Sequence, residues 1–336
     1  MIFPPIQQEL KLGLGGAALG NLFVAIDDFS AQGVLHAAIT DGCRTFDTAP
    51  HYGNGRSELR FGDALRPAAR DGFVLSTKVG RLLTPDASAP REQNGYVDVL
   101  PFTQRWDYSA RGVRKSVQDS LQRLGLARLD VAFVHDCDIQ THGPAYPQVL
   151  HQVIHEALPE LCRMKQEGLL RHIGLGVNDV QVCLDVLQKT DLDCLLLAGR
   201  YSLIDHSALA HLLPECERHG VRIALGGVFN SGILAHGVLA NPDAEALRFN
   251  YAAASPERIA QVAAIERVGL EFQVPLRAAA LQFPLAHPAI EIVMSGAQTV
   301  LEWQDSVAMM AHAIPGAFWD ALRSRGLLPD AAPTPN

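Results

Sequence analysis

The amino-acid sequence predicts an α/β protein built as a (β/α)₈ TIM barrel, with long loops after its third and seventh strands. Eight short apolar runs, typical of buried parallel strands, recur along the 336-residue chain and alternate with longer stretches of helical spacing. With 48% hydrophobic residues, the chain can also bury a large core. Strict alternation favours a parallel sheet, and eight units favour its closure, so we expect a barrel rather than an open sheet.

The strand candidates are short apolar runs bounded by polar residues or glycine. In chain order they are KLGLGG (11–16), RTFDTA (44–49), VLSTKV (74–79), LDVAFVHD (129–136), HIGLGV (172–177), CLLLAGRY (194–201), RIALGG (222–227) and EIVMSGA (291–297). The helix candidates between them are 31–41, 56–66, 109–124, 154–167, 179–189, 207–219, 256–269 and 299–311. Ser109 and Ser207 are expected to cap helix N-termini, and Gly168 and Gly220 to end helices in a left-handed conformation.

Two segments interrupt the alternation of strands and helices. Residues 81–107 are rich in loop-forming and aromatic residues, and residues 232–255 are rich in small residues. Loops that follow barrel strands build the catalytic face, so we expect both insertions to shape a substrate pocket. Residues 1–328 are predicted to form a single domain, and the tail 329–336 is predicted to be disordered.

Charge and cysteine usage limit the possible partners and compartment. The 36 acidic and 28 basic residues give a net charge of −8 without any basic block, which argues against nucleic acid and anionic membranes as partners. The six cysteines form no C-x-x-C pair, and we interpret them as reduced thiols of a cytoplasmic protein. No signal peptide or membrane-span-length run is evident. A small polar molecule is the expected partner, and the oligomeric state stays open.

Four side chains are predicted to converge at one rim of the barrel. Asp47, Lys78 and His135 each stand at the carboxyl end of a strand candidate, and Tyr52 lies five positions beyond Asp47. Carboxyl ends of parallel strands share one rim. Taken alone, Asp47 could be a helix cap and His135 a core histidine, but their occurrence on successive strands favours catalysis.

This group of residues is suited to proton transfer by a phenol. An ammonium about 4 Å from a phenolate contributes roughly 4 kcal/mol at an effective dielectric constant of ~20, so Lys78 is expected to lower the pKa of Tyr52 by up to about 3 units. Asp47 would hold Lys78 charged, and His135 would donate a hydrogen bond to the substrate oxygen. This chemistry needs no metal.

The run DTAPHYGNGRSE, the strand-ending Lys78 and the FVHD around His135 resemble the Asp, Tyr, Lys and His tetrad of the aldo-keto reductases. The resemblance covers nearly the whole chain and implies a barrel that binds a nicotinamide cofactor. It also implies a set of cofactor-binding residues, which are Asn178, Tyr201, Gly227, Phe229, Asn230, Ser231, Gly232, Ser295, Gly296, Ala297, Gln298 and Glu302.

In that family resemblance each cofactor segment has a role. Asn178 would bind the nicotinamide carboxamide, and Tyr201 would stack on its ring. The backbone N–H groups of 229–232 would bind the pyrophosphate, and the segment 295–302 would bind adenosine. Gly296 and Glu302 stand where NADP-preferring members carry basic residues, so NAD is the expected cofactor.

The phrases AGRYSLID, GGVFNSGIL and HDCDIQTHG resemble a sugar 1-dehydrogenase branch of the family. That likeness implies NAD-dependent oxidation of an aldose of the L-fucose, D-arabinose or L-galactose type at C1, giving the aldonolactone with Tyr52 as proton acceptor. Arg81 and Trp106 could then contact the sugar. Oxidation of pyridoxal by the same tetrad is the nearest alternative, and a non-catalytic binding subunit is a distant one.

Two further motifs point only weakly to other classes. The run GLGGAALG (13–20) follows the dinucleotide-binding G-x-G-x-x-G pattern loosely, and it is better explained by the first barrel strand and a tight loop. His151 and His155 have helical i, i+4 spacing, but no glutamate lies between them as in the H-E-x-x-H zinc motif.

Overall fold

The computed structural model describes residues 1–4, 10–240 and 247–335, and its centre is a closed barrel of eight parallel strands. The strands of the described chain are β1 (Leu12–Gly15), β2 (Thr45–Asp47), β3 (Val74–Val79), β4 (Arg81–Pro85), β5 (Phe102–Trp106), β6 (Val131–His135), β7 (His172–Val177), β8 (Cys194–Ala198), β9 (Arg222–Gly226), β10 (Arg248–Phe249), β11 (Ala252–Ala253) and β12 (Ile290–Gly296). The barrel order is β1-β2-β3-β6-β7-β8-β9-β12, closed by pairing of β12 with β1. Each strand candidate overlaps one barrel strand, so the predicted fold class is confirmed.

Helices surround the barrel on its outer side. They are α1 (Asp28–Thr40), α2 (Arg56–Leu65), α3 (Ala110–Leu124), α4 (Ile139–His142), α5 (Tyr146–Gln152), α6 (Leu158–Gln166), α7 (Val180–Leu187), α8 (Leu212–His219), α9 (Ile233–His236), α10 (Pro256–Phe272), α11 (Leu276–Gln282), α12 (Val300–Met310) and α13 (Gly316–Ser324). Within the described ranges, none of these helices combines the length and hydrophobicity needed to traverse a bilayer.

Three of the four residues predicted to cap or end helices do so in the structure. Ser109 caps α3 by accepting a hydrogen bond from the Gly112 N–H at 3.0 Å, and Gly168 and Gly220 have φ values of 80° and 69°. The prediction for Ser207 is wrong. Its hydroxyl donates to Asp205 at 2.6 Å in a turn, and α8 begins only at Leu212.

The apolar core has two layers. One cluster fills the barrel interior and includes Phe133, Leu196, Ile292 and Met294. The larger cluster lies between the strands and the surrounding helices. Burial on both faces explains why the strands read as continuous apolar runs rather than as alternating patterns.

The insertion 81–107 is more regular than predicted. Instead of an irregular loop, it contains an antiparallel hairpin in which β4 pairs with β5, with Arg81 opposite Trp106 and Pro85 opposite Phe102. The insertion 232–255 contains α9 and the two-residue strands β10 and β11, while its residues 241–246 lie outside the described residues.

The prediction of a disordered tail is wrong for residues 329–335. The Ala332 side chain is buried, and Arg323 of α13 donates to the Ala332 carbonyl at 3.0 Å and to the Thr334 hydroxyl at 2.9 Å. Composition alone suggested disorder, because the docking depends on one small apolar side chain and one distant arginine. Asn336 lies outside the described residues.

Candidate active site

The first element of the site is a buried ion pair between two adjacent strands. Asp47 ends β2 and Lys78 lies near the end of β3, and Nζ of Lys78 is 2.7 Å from Oδ2 of Asp47. The other carboxylate oxygen accepts a hydrogen bond from Ser76 at 2.7 Å, and Lys78 also donates to the Thr48 carbonyl at 3.0 Å. Burial raises the pKa of Asp47, and the Lys78 ammonium offsets part of that rise.

The lysine stem packs inside the barrel against Gly176 of β7, the second strand along from β3. A Cβ on Gly176 would lie 3.4 to 3.5 Å from the Lys78 methylene carbons, which is ordinary van der Waals contact. Such a charged residue is rarely found in an apolar interior without a partner.

Tyr52 lies over this ion pair, as the sequence predicted. Nζ of Lys78 is 4.6 Å from the centroid of the Tyr52 ring, and Tyr96 of the first insertion stacks on the same tyrosine with centroids 5.9 Å apart. On its other side, Gly20 packs so closely that a Cβ there would meet the Tyr52 backbone at 2.7 Å. Three separate segments of the chain thus fix the phenol.

The expected lowering of the Tyr52 pKa is not seen. Burial and the negative charge of Asp47 raise that pKa well above its ordinary value, and the Arg81 guanidinium opposes part of the rise. The Lys78 ammonium donates its hydrogen bonds to Asp47 and to the Thr48 carbonyl, and it lies over the face of the ring. At neutral pH Tyr52 is therefore a neutral phenol in this structure.

His135 ends β6 and completes the predicted convergence, with its ring centroid 6.2 Å from that of Tyr52. Burial and the positive charge of Lys78 keep its pKa well below the ordinary range, so the imidazole is neutral and has one N–H to donate. Nε2 is 3.5 Å from Oδ2 of Asp136, and Nδ1 is buried without a hydrogen-bond partner among the described residues.

Arg81 stands beside the tetrad, held by Asp136 and by the hairpin. Its guanidinium donates to Asp136 at 2.7 Å and to Gln104 at 3.2 Å, and it lies 3.8 Å from the centroid of Trp106. Trp106 also packs against Tyr108 and His142. Neither Arg81 nor Trp106 lines the large cleft described next, so Trp106 has no free face there for a sugar.

A cleft of about 650 Å³ opens at the carboxyl ends of the barrel strands, and Asp47 and Tyr52 form part of its wall. Most of the predicted cofactor residues line it. They are Asn178, Gly227, Phe229, Asn230, Ser231, Gly232, Ser295, Gly296, Ala297, Gln298 and Glu302. Segments far apart in the sequence therefore meet in one cavity, as the family resemblance implied.

The prediction for Tyr201 is wrong. Its side chain is fully buried and packs against Phe283 at 5.3 Å and His287 at 5.7 Å between ring centroids, away from the cleft. Tyr251, which follows β10, is an aromatic residue that does line the cleft, and its backbone N–H donates to Ser231 at 2.8 Å. Sequence reasoning missed Tyr251 because the small-residue insertion around it gave no motif.

The turn expected to bind pyrophosphate has an unusual backbone. Asn230, Ser231 and Gly232 have φ values of 45°, 63° and 101°, a left-handed run that non-glycine residues seldom adopt away from functional sites. The N–H groups of Asn230 and Gly232 donate to the carbonyls of Gly227 and Phe229, so these two are not the free donors that were predicted. Oδ1 of Asn230 is buried without a partner among the described residues.

The opposite wall carries charged groups from α11 and α12. Glu302 accepts a hydrogen bond from the Gln298 N–H at 2.7 Å. Arg277, which the sequence analysis missed, lines the same wall and is held by Asp305 at 2.7 and 3.1 Å. Nothing in its surroundings in the sequence marks Arg277, since α11 itself was not predicted.

These features fit a nicotinamide dinucleotide. The cleft is walled by glycines at positions 15, 16, 226, 227, 232 and 296, which let backbone approach a ligand closely, and it ends at the tetrad. Asn230 also lines this cleft, and its buried amide oxygen has no hydrogen-bond partner among the described residues. A small alcohol or carbonyl compound held at Tyr52 and His135 would adjoin such a ligand.

Comparison with known proteins agrees with this geometry. A profile of the Aldo/keto reductase family matches residues 11–325, so the chain belongs to that family, whose members use nicotinamide cofactors. It is therefore an oxidoreductase acting on CH–OH groups.

Two relatives and one solved structure illustrate the similarity. The chain is 39% identical to pyridoxal 4-dehydrogenase of Microbacterium luteolum, covering 94% of each chain. It is 36% identical to D-threo-aldose 1-dehydrogenase of a Pseudomonas species, covering 95% of this chain and 94% of the relative. The aldo-keto reductase AKR11C1 of Bacillus halodurans shares the fold, with a TM-score of 0.70 at 22% identity over 94% of this chain and 91% of that one.

Proposed function

We propose that the protein oxidises an aldose at C1 to the aldonolactone with NAD as the cofactor. The observation that carries this proposal is the tetrad, in which the Asp47–Lys78 pair lies beneath Tyr52 at the end of a dinucleotide-sized cleft. When bound, the nicotinamide supplies the acceptor for the hydride from C1. Tyr52 takes the proton of the anomeric hydroxyl, and the neutral His135 donates a hydrogen bond that orients the substrate oxygen.

The charges around Tyr52 control when it can accept that proton. Its raised pKa makes the phenolate a minority species at neutral pH, and Arg81 is the group whose charge favours the phenolate. Proton acceptance therefore becomes easier as the pH rises. In the reverse direction the neutral phenol is already the correct proton donor.

The polar surroundings of the tetrad support a hydroxyl-rich substrate. His51, Gln104, Arg81 and Asp136 lie together beside Tyr52 and His135, and they offer several hydrogen-bonding groups. The 36% identity to a D-threo-aldose 1-dehydrogenase supports the same substrate class.

Pyridoxal is the second candidate substrate, because the chain is 39% identical to a pyridoxal 4-dehydrogenase over nearly its full length. The tetrad chemistry would be the same. The substrate would then be a flat aromatic ring.

The preference for NAD rests on charge at the cleft wall. Glu302 carries a carboxylate there, and the only positive group contributed by α11, Arg277, is already paired with Asp305. A 2′-phosphate would meet a carboxylate and no free cation from these two helices.

The test is the formation of NADH or NADPH, followed by absorbance, with L-fucose, D-arabinose, L-galactose and pyridoxal in parallel. The proposal expects rapid reduction of NAD with at least one sugar and slower reduction of NADP. Activity with pyridoxal alone would overturn the substrate class but not the tetrad. No activity with any of the four would contradict the dehydrogenase function itself.

A further inference from the structure

A chain of hydrogen bonds beside the tetrad begins at Asn54. Its side-chain nitrogen donates to two backbone carbonyls of the hairpin segment, those of Leu100 at 3.1 Å and Phe102 at 2.6 Å. Carbonyl oxygens only accept, so the amide orientation of Asn54 is fixed and its Oδ1 must act as an acceptor.

Gln104 of β5 transmits this orientation to His51. Its side-chain nitrogen donates to Oδ1 of Asn54 at 2.7 Å, which turns its oxygen toward Arg81 at 3.2 Å and Nδ1 of His51 at 2.9 Å. Because that oxygen can only accept, Nδ1 of His51 must carry a hydrogen.

The second nitrogen of His51 is then a free acceptor. Burial and the positive charges of Arg81 and Lys78 lower the pKa of His51 to about 3, although the Gln104 hydrogen bond favours the charged form. The ring is therefore neutral throughout the physiological range, and Nε2 carries a lone pair. No described residue forms a hydrogen bond to Nε2.

The His51 ring lies among the catalytic rings. Its centroid is 6.1 Å from that of Tyr52, 5.6 Å from that of His135 and 5.1 Å from that of Tyr96. In the proposed function Tyr52 and His135 hold the reacting oxygen, and the His51 ring lies beside both of them. The Nε2 acceptor of His51 can accept a hydrogen bond from a substrate hydroxyl. A substrate with a hydrogen atom in place of that hydroxyl leaves the acceptor unpaired.

We propose that His51 is a specificity-determining residue whose Nε2 accepts a hydrogen bond from the hydroxyl on the carbon next to the reacting carbon. Gln104 is its positioning residue, because it selects the tautomer. This inference rests on the proposed aldose oxidation. A substrate without that hydroxyl leaves the acceptor unpaired and is rejected.

The test compares D-arabinose with 2-deoxy-D-ribose, which is the same pentose without its C2 hydroxyl. The measured quantity is the ratio of the two kcat/KM values at saturating NAD. We expect the ratio of D-arabinose to 2-deoxy-D-ribose to be roughly tenfold lower in His51→Leu than in the wild type, mainly because the variant loses activity on D-arabinose. Comparing variants cancels the intrinsic difference in reactivity between the sugars.

Four further variants separate recognition from structural damage. His51→Gln offers an oxygen acceptor and should retain much of the ratio, and the exposed His155→Leu is the matched control and should retain all of it. Gln104→Glu still accepts from Nδ1 and should keep the preference, whereas Gln104→Leu should reduce it. A merely structural role for either residue would lower activity on both sugars equally.

The outcomes distinguish this inference from the proposed function. If the wild type oxidises D-arabinose but His51→Leu keeps the wild-type ratio, the role of His51 is overturned while the function stands. If the folded wild type oxidises neither these sugars nor L-fucose and L-galactose, the proposed function fails and the inference fails with it. Circular dichroism establishes that each variant is folded.

Discussion

Tyr52 is the residue on which the chemistry depends, and its surroundings raise rather than lower its pKa. Nζ of Lys78 lies over the face of the Tyr52 ring, and its hydrogen bonds go to Asp47 and the Thr48 carbonyl. Burial is therefore the largest influence on the pKa of Tyr52, and it raises that pKa. Spacing in the sequence could place these residues together, but it could not tell which oxygen the ammonium would face.

The raised pKa of Tyr52 predicts the pH dependence of the reaction. Because the pKa of Tyr52 lies well above its ordinary value, the phenol stays mostly protonated up to about pH 10. The small fraction of phenolate, which accepts the proton, therefore increases about tenfold for each pH unit between 7 and 10. We expect kcat/KM for sugar oxidation to rise with that slope in initial-rate measurements. Oxidation that reaches a plateau by pH 8 would show that Tyr52 titrates lower.

The Asp47–Lys78 pair should stabilise the fold as well as the site. Asp47→Asn leaves the Lys78 ammonium buried without its carboxylate, which costs about 3 to 5 kcal/mol of unfolding free energy. Combining it with Lys78→Met should recover much of that loss without restoring turnover. Urea denaturation and initial rates measure the two effects.

The matched control for that pair is the ion pair on α3 in which partly buried Asp119 lies 2.8 Å from exposed Lys115. Asp119→Asn should change the unfolding free energy by no more than about 0.5 kcal/mol. If the variant with both Asp47→Asn and Lys78→Met is no more stable than Asp47→Asn alone, an uncompensated buried charge is not the cause of the lost stability.

At the scale of elements, the loop after β1 acts as a wall for the catalytic tyrosine. A Cβ at Gly20 would meet the Tyr52 carbonyl carbon at 2.7 Å and its Cβ at 2.8 Å. Gly20→Ala should therefore displace the phenol and lower kcat at least tenfold, because catalysis is sensitive to shifts of about 1 Å. Steady-state kinetics measures the change.

Gly72→Ala is the control for this substitution, since no atom lies within 4 Å of its added Cβ. It should leave kcat unchanged. Equal rates for Gly20→Ala and the wild type would mean that the loop yields without moving Tyr52.

Helices α11 and α12 together set the charge at the far wall of the cleft. Asp305→Asn should remove the charge pairing and one of the two hydrogen bonds that hold Arg277, and raise the ratio of kcat/KM for NADP over NAD by about tenfold. Adding Arg277→Met should cancel the gain, which links the effect to the guanidinium. If the single variant keeps the wild-type cofactor ratio, Arg277 does not reach the cofactor.

For the whole molecule, the sequence predicted the barrel because its strands are buried on both faces and stay apolar throughout. It also placed Asp47, Tyr52, Lys78 and His135 at one rim, since strand ends define that rim. The predictions were wrong at residues whose conformation depends on tertiary contacts. Tyr201 packs against Phe283, Ser207 bonds within a turn, and the tail docks through Ala332.

The barrel thus brings distant strand ends and insertions to one face, where the cleft meets the tetrad. The same closure explains why residues with no motif of their own, such as Tyr251 and Arg277, line the site. Such residues are recognisable only once the strands are in place.

The central claim is that Tyr52 exchanges the proton during nicotinamide-dependent oxidation, and Tyr52→Phe tests it most directly. The substitution keeps the ring over Lys78 and removes only the hydroxyl. We expect kcat for sugar oxidation to fall by about 10²- to 10⁴-fold, with the affinity for NAD nearly unchanged in a fluorescence titration. Turnover close to that of the wild type in a folded Tyr52→Phe variant would contradict the account.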